Sequence, residues 1–205
     1  GRSGRRLFAP PQILPSLLTA GACAAMAAVN APAGIVDLNF ANGRVLEGIL
    51  YRKWNELSYV IVHAGNTRAK GEKRPIAAWG MSSAYAGPVP DQYGLRIDAY
   101  AGTPINAFRG DLSEVQFVTY DIPALVYRLK TPRRALIIGS GGGIDILAAL
   151  SAGCPEINCV EINPAVVAAM RGPFRDFSGG LYLLPQVKVA VAEGRSFIQR
   201  DSSLY

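Results

Sequence analysis

Residues 134–164, RALIIGSGGGIDILAALSAGCPEINCVEINP, constrain this chain more than any other stretch. The run Ala135–Ile138 has the length and β-branched content of a strand buried on both faces. Glycines follow at 139, 141, 142 and 143, and Ile144, Leu147, Ala148 and Ser151 then recur at helical spacing. A second apolar run, residues 157–160, ends on Glu161. This predicts a strand, a glycine turn, a helix packed on the sheet, and a second strand closed by an acid.

That order carries a chemistry. Glycines allow positive φ and bring bare backbone N–H groups against a ligand, while the helix start adds partial positive charge. An acid at the end of the next strand, about 20 residues on, can accept both hydroxyls of a ribose. The turn therefore reads as a nucleoside site built on Gly139, Ser140, Gly141, Gly142, Gly143, Asp145, Glu161 and Ile162. The plainer alternative is a turn whose glycines only allow tight packing, with Glu161 a solvated strand end. A dinucleotide site would read G-x-G-x-x-G, whereas the sixth place here holds Ile144, which favours a mononucleoside such as S-adenosylmethionine over NAD.

Composition removes several other classes. The chain has 205 residues, room for one ordinary domain plus an appendage, and 50% are hydrophobic. The net charge of +6 is scattered, with small basic groups at Arg2, Arg5 and Arg6, at residues 70–74, and at Lys130, Arg133 and Arg134, so nucleic acid is not indicated as a partner. Cys23, Cys154 and Cys159 show no CxxC spacing, and His63 is the single histidine. No disulfide framework, His-based triad or metal site is expected.

Residues 7–36 lack charge, and residues 13–29 are nearly all apolar. A transmembrane helix, a signal peptide and a buried amphipathic arm compete for this segment. The first is favoured, because the chain begins with Gly rather than Met. Residues 45–51 and 58–64 read as strands separated by the polar turn RKWNE, 76–79 and 95–98 as further strands, and 87–93 as a loop. Residues 114–130 carry a helical apolar face broken by Pro123, where Thr119 or Asp121 can cap the second part. After Glu161, Asn163 caps a helix that opens with Pro164. Residues 171–184 form a loop long enough to border a ligand site, and Val187–Val191 is a third strand ending near Glu193 and Gly194. Three parallel strands with a bare edge lead one to expect a natural protein that continues past Tyr205.

The segments LRIDAYAGTPI, FVTYDIPALVYRL, ALIIGSGGGIDIL, VEINP and VAEGRSF, taken in this order, resemble the spermidine synthase-like branch of class I S-adenosylmethionine-dependent transferases, closest to its bacterial membrane-attached relatives. The resemblance spans roughly residues 40–205. It implies an α/β fold: a Rossmann-like doubly wound sheet of class I methyltransferase type, incomplete at its carboxyl end, preceded by a small antiparallel β subdomain and an N-terminal apolar helix. The expected divisions are an apolar, membrane-spanning segment over 1–38, the β subdomain over 39–112 and the S-adenosyl-binding domain over 113–205.

The resemblance also implies roles. Gly139, Gly141 and Gly143 would lie under S-adenosylmethionine or its decarboxylated form, Glu161 would hold the ribose, and Glu193 with Gly194 would hold the adenine. Asp98 and Tyr120 would line the side taken by a small amine substrate, unless Asp98 only ends a strand and Tyr120 is core. Spermidine synthases carry an aspartate at the place of Gly142, and their catalytic acid follows a fourth strand, expected beyond Tyr205. The implied activity is aminopropyl transfer from the decarboxylated donor to a diamine such as putrescine, in polyamine biosynthesis. A methyltransferase and a non-catalytic nucleoside-binding domain of a membrane protein are the alternatives. A membrane-attached protein with its α/β domain in the cytoplasm is expected, with homodimerisation also open.

Overall fold

The computed structural model describes residues 13–33, 40–41, 44–45, 47–64, 80–98, 101–130, 132–203 and 205. The predicted strand over 76–79, the charged loop at 70–74 and the arginines at 2, 5 and 6 lie outside the described residues. The chain divides into two compact units, Gly1–Asn39 and Phe40–Tyr205.

The first unit contains helix α1, Ile13–Ala33. Leu14, Leu17, Leu18, Met26 and Val29 on it are exposed. The expected membrane span does not stand: among the described residues no helix is long and apolar enough to cross a membrane. Alanine dominates α1, and Pro15, Ser16, Thr19 and Asn30 interrupt its apolar run. Alanine adds little to the transfer free energy that a span requires, and an asparagine subtracts from it. The membrane-attached location and membrane partner inferred from this segment are corrected with it.

The second unit begins with a two-stranded ribbon, β1 Phe40–Ala41 with β2 Arg44–Val45. A four-stranded antiparallel sheet follows in the order β3 Ile49–Trp54, β4 Tyr59–His63, β5 Gln92–Ile97 and β6 Ala101–Asn106. The predicted turn RKWNE is mostly strand. Arg52, Lys53 and Trp54 continue β3, and the chain reverses at Asn55, whose Oδ1 accepts the amides of Leu57 and Ser58 at 3.0 and 2.9 Å. Trp54 then stacks on Tyr59 with ring centroids 4.3 Å apart. The exposed charges on β3 hid the strand, since cross-strand packing against β4 decides its conformation. Strand β6 contains Pro104 and lies at the sheet edge, where the missing amide costs no ladder bond on the open side.

Residues 114–130 are not one broken helix. They form a 3-10 segment Leu112–Tyr120, a second one Ile122–Ala124, and a short helix α2 Leu125–Leu129. Asp111 caps the first segment and Asp121 the second, where its carboxylate accepts the amides of Ile122 at 2.8 Å and Gly80 at 2.7 Å.

The parallel sheet has the order β7 Ala135–Ile138, β8 Ile157–Glu161 and β9 Val187–Val191. Helix α3, Ile144–Ser151, joins the first two strands; α4, Pro164–Arg171, leads from β8 toward β9; α5, Gly194–Arg200, follows β9. Six of the eight residues of α3 are buried, so apolar side chains almost all round it pack between sheet and 3-10 segment. Val60, Val62, Leu95 and Ile105 of the antiparallel sheet belong to the same buried cluster as Ile137, Leu147, Ile157 and Val166. The two sheets of this unit therefore share one core.

Candidate functional site

The carboxyl ends of β7, β8 and β9 face one crevice, the place where open parallel sheets bind ligands. The glycine turn stands at its centre. Gly139 has φ +77° and nothing within 4 Å of where a Cβ would stand, so its open side faces free space. The other glycines face protein. A Cβ on Gly141 would lie 2.8 Å from Thr103 Cγ2, on Gly142 2.0 Å from the Pro104 carbonyl oxygen, and on Gly143 2.4 Å from Leu181 Cδ2. Close approach to a ligand thus concerns Gly139, while Gly141 to Gly143 let strand β6 and the residues around Leu181 press onto the turn.

Glu161 ends β8 and is 4% exposed, so it is not a solvated strand end. Its Oε2 accepts the Gly141 amide and its Oε1 the Asn163 amide, each at 3.0 Å. A carboxylate has about four acceptor directions, so two remain for ligand hydroxyls. Ser140 N and Gly142 N make no hydrogen bond to any described residue and are available donors. Asp145 sits in the first turn of α3, and burial, with the nearby Asp121 charge, holds its carboxyl above the usual range.

Exposed apolar residues border the same crevice: Ile138 at the end of β7, Ile162 after β8 and Val191 at the end of β9. Gly194 comes so near β7 that a Cβ there would lie 2.8 Å from Ile138 Cγ2. Glu193 is exposed, and its carboxylate caps α5, accepting the amides of Arg195 at 3.0 Å and Ser196 at 2.8 Å. Those bonds hold its carboxyl below the ordinary range. The remaining two expected residues have other neighbours. Asp98 lies exposed after β5 with φ +50°, and its carboxylate accepts the Tyr59 amide at 2.9 Å. Tyr120 packs against Tyr85 at 5.0 Å, with the Arg128 guanidinium over its ring at 5.8 Å.

Sequence reasoning missed the residues that brace the turn. Tyr182, 1% exposed, places its hydroxyl 2.7 Å from the Gly141 carbonyl and 2.8 Å from Ser140 Oγ. Burial, with the Glu161 charge adding to it, pushes this phenol far up. Asn163 does more than cap α4. Its Oδ1 accepts Asn55 Nδ2, and its Nδ2 donates to Ser58 Oγ, both at 2.7 Å, tying the β3–β4 turn to the strand end that carries Glu161. Nothing local marks Tyr182, whose bonds to the turn span 42 and 41 positions. For Asn55 and Ser58 no local signal exists, because the contact joins residues more than 100 positions apart.

A cavity of about 510 Å³ lies elsewhere, lined by Glu156, Asn158, Lys188, Arg200 and Asp201 at the amino ends of β8 and β9. Glu156 there already pairs with Arg134 at 2.8 Å and Lys188 at 3.1 Å. The glycine turn and Glu161 are at the opposite end of the sheet. Among the described residues no group of three or more His, Cys, Asp or Glu side chains could hold a metal.

Fold and crevice together define an α/β protein whose parallel sheet and connecting helices are Rossmann-like. Comparison with known proteins adds a distant and partial likeness to the spermidine synthase-like branch. Over 77 residues, 38% of this chain and 24% of the relative, the sequence is 26% identical to a polyamine aminopropyltransferase from Korarchaeum cryptofilum (strain OPF8). The chain thus aligns with about a quarter of that relative's length. Two solved structures, spermidine synthase in complex with the transition state analogue AdoDATO and spermidine synthase from Thermotoga maritima, each give a TM-score of 0.44 at 14% identity. They cover 74% and 73% of this chain and 43% of their own. No family model matches the chain.

Proposed function

We propose that the crevice at the carboxyl ends of β7 to β9 holds an adenosyl donor, and that the chain belongs to an aminopropyl-transferring enzyme of polyamine biosynthesis. The observation that carries this reading is the pairing of an open glycine, Gly139, with a buried acid, Glu161, that already grips the same turn. The partial likeness to a polyamine aminopropyltransferase supports the choice of reaction class. Ser140 N and Gly142 N would donate to the donor, the two free acceptor directions of Glu161 would take the ribose hydroxyls, and Ile138, Ile162 and Val191 would flank the adenine. Gly194 N and the remaining acceptor directions of Glu193 would face its polar edge.

The donor supplies an electrophilic carbon beside a sulfonium. An amine nitrogen forms the new C–N bond as the C–S bond breaks to the thioether, and the amine's proton leaves to a base. The chain's own part is orientation and charge: carboxylates that hold ammonium groups and keep the nucleophile in line. Asp98 and Tyr120 are proposed for the amine side and Asp145 for the donor's tail. One observation favours methyl transfer as a second reading. The Pro104 carbonyl fills the space that a side chain on Gly142 would need, so the aspartate expected there for a decarboxylated donor has no room.

Calorimetric titration separates the two. Aminopropyl transfer predicts tighter binding of decarboxylated S-adenosylmethionine than of S-adenosylmethionine. Preference for the carboxylated donor would overturn aminopropyl transfer in favour of methyl transfer, and binding of neither would remove the adenosyl site.

A further inference from the structure

We propose that Tyr182 is a positioning residue for the adenosyl-binding turn, acting by locking the peptide between Gly141 and Gly142; this rests on the nucleoside reading given above. A trans peptide points its carbonyl and the following N–H to opposite sides, and none in the described chain is cis. A hydroxyl bonded to the Gly141 carbonyl therefore directs the Gly142 N–H away from Tyr182. That N–H is one of the two unpaired donors of the turn.

The lock is needed because this peptide lies between two glycines, which rotate through positive and negative φ at little cost. Gly141 itself sits at φ +49°. Glu161 fixes the preceding peptide through Gly141 N at 3.0 Å, and the Gly143 amide bonds back to the Ser140 carbonyl at 2.8 Å. The Gly141 carbonyl is held by a side chain, and Tyr182 takes it at 2.7 Å. One phenolic proton serves one acceptor at a time, so when it goes to Gly141, the Ser140 hydroxyl donates to Tyr182 Oη across 2.8 Å. Leu181, packed beneath Gly143, anchors the neighbouring residue of the same 3-10 segment, Leu181–Leu183.

The test is titration of the purified chain with S-adenosylmethionine by calorimetry, alongside thermal unfolding. Tyr182→Phe is expected to lose about tenfold in affinity, the effect of one hydrogen bond. Ile157→Val, a core change at the far end of β8, provides a stability-matched control that keeps parental affinity. Parental affinity in folded Tyr182→Phe would overturn the proposal while leaving the nucleoside reading intact. Where Tyr182→Phe does not fold, the parent decides: the Gly142 amide resonance is expected to shift when S-adenosylmethionine is added, and a Gly142 amide that does not move while the ligand binds would overturn the proposal. A parent chain that binds no S-adenosylmethionine removes the nucleoside reading and this inference together.

Discussion

Two glycines three positions apart in the same turn answer to different demands. Gly139 needs its positive φ and faces open space, whereas Gly142 lies directly under the Pro104 carbonyl. Gly142→Ala is expected to destabilise the fold by about 1–3 kcal/mol, the usual cost of forcing an extra group into packed structure. The denaturation midpoint reads this directly, and a variant as stable as the parent would mean that β6 does not press on the turn. Glu161→Ala removes the acceptor of two backbone amides as well as the proposed ribose contacts. Loss of about 1–3 kcal/mol in adenosyl binding is expected in calorimetry of the folded protein. Unchanged affinity would take Glu161 out of the site.

At the scale of elements, the junction between β8 and α4 ties the antiparallel sheet to the proposed nucleoside crevice. Asn163 accepts the Ala165 amide at 3.0 Å, donates to Ser58 and accepts from Asn55, and its own amide holds Glu161. Asn163→Ala should cost about 1–2 kcal/mol through the lost cap alone. Asn163→Asp keeps the cap but loses the donor to Ser58, so its urea midpoint is expected between parent and alanine variant. Equal midpoints for aspartate and parent would show that the link to the β3–β4 turn adds nothing. The helix α3 needs no such polar device, since its apolar surface is buried nearly all round.

For the whole molecule, pH is the informative variable. Burial, with the Arg96 charge adding to it, lowers the His63 pKa from 6.5, while its hydrogen bond to the Ala64 carbonyl opposes the shift. The unfolded chain therefore binds a proton at His63 before the folded one does, and stability falls as pH drops below about 6.5. His63→Gln should flatten that first step in a series of thermal melts, and an unchanged slope would exclude His63 as its source. Glu156, Glu193 and Asp111 have depressed values from their hydrogen bonds, so their contribution is present above the unfolded carboxylate range and is lost as pH falls through the folded values. On the alkaline side, burial pushes the Cys159 thiol up to about 12 from 9.0. The unfolded thiol ionises first, so stability declines above about pH 9.

The strand, glycine turn, helix and strand order, the acid at the end of β8 and the capping Asn163 were all legible in the amino-acid order, because each is a local pattern of period, φ freedom or capping chemistry. The β3 extension, strand β6 and the 3-10 character of residues 112–120 were not, since neighbours distant in the chain override local preference there. The apolar stretch at 13–29 misled as a membrane span because small residues keep it uncharged without making it strongly hydrophobic. Tertiary structure alone decided that Gly142 lies under Pro104, that Tyr182 holds the Gly141 peptide, and that Asn55 reaches Asn163. Such contacts depend on how two sheets close over one core, which no periodicity along the chain encodes.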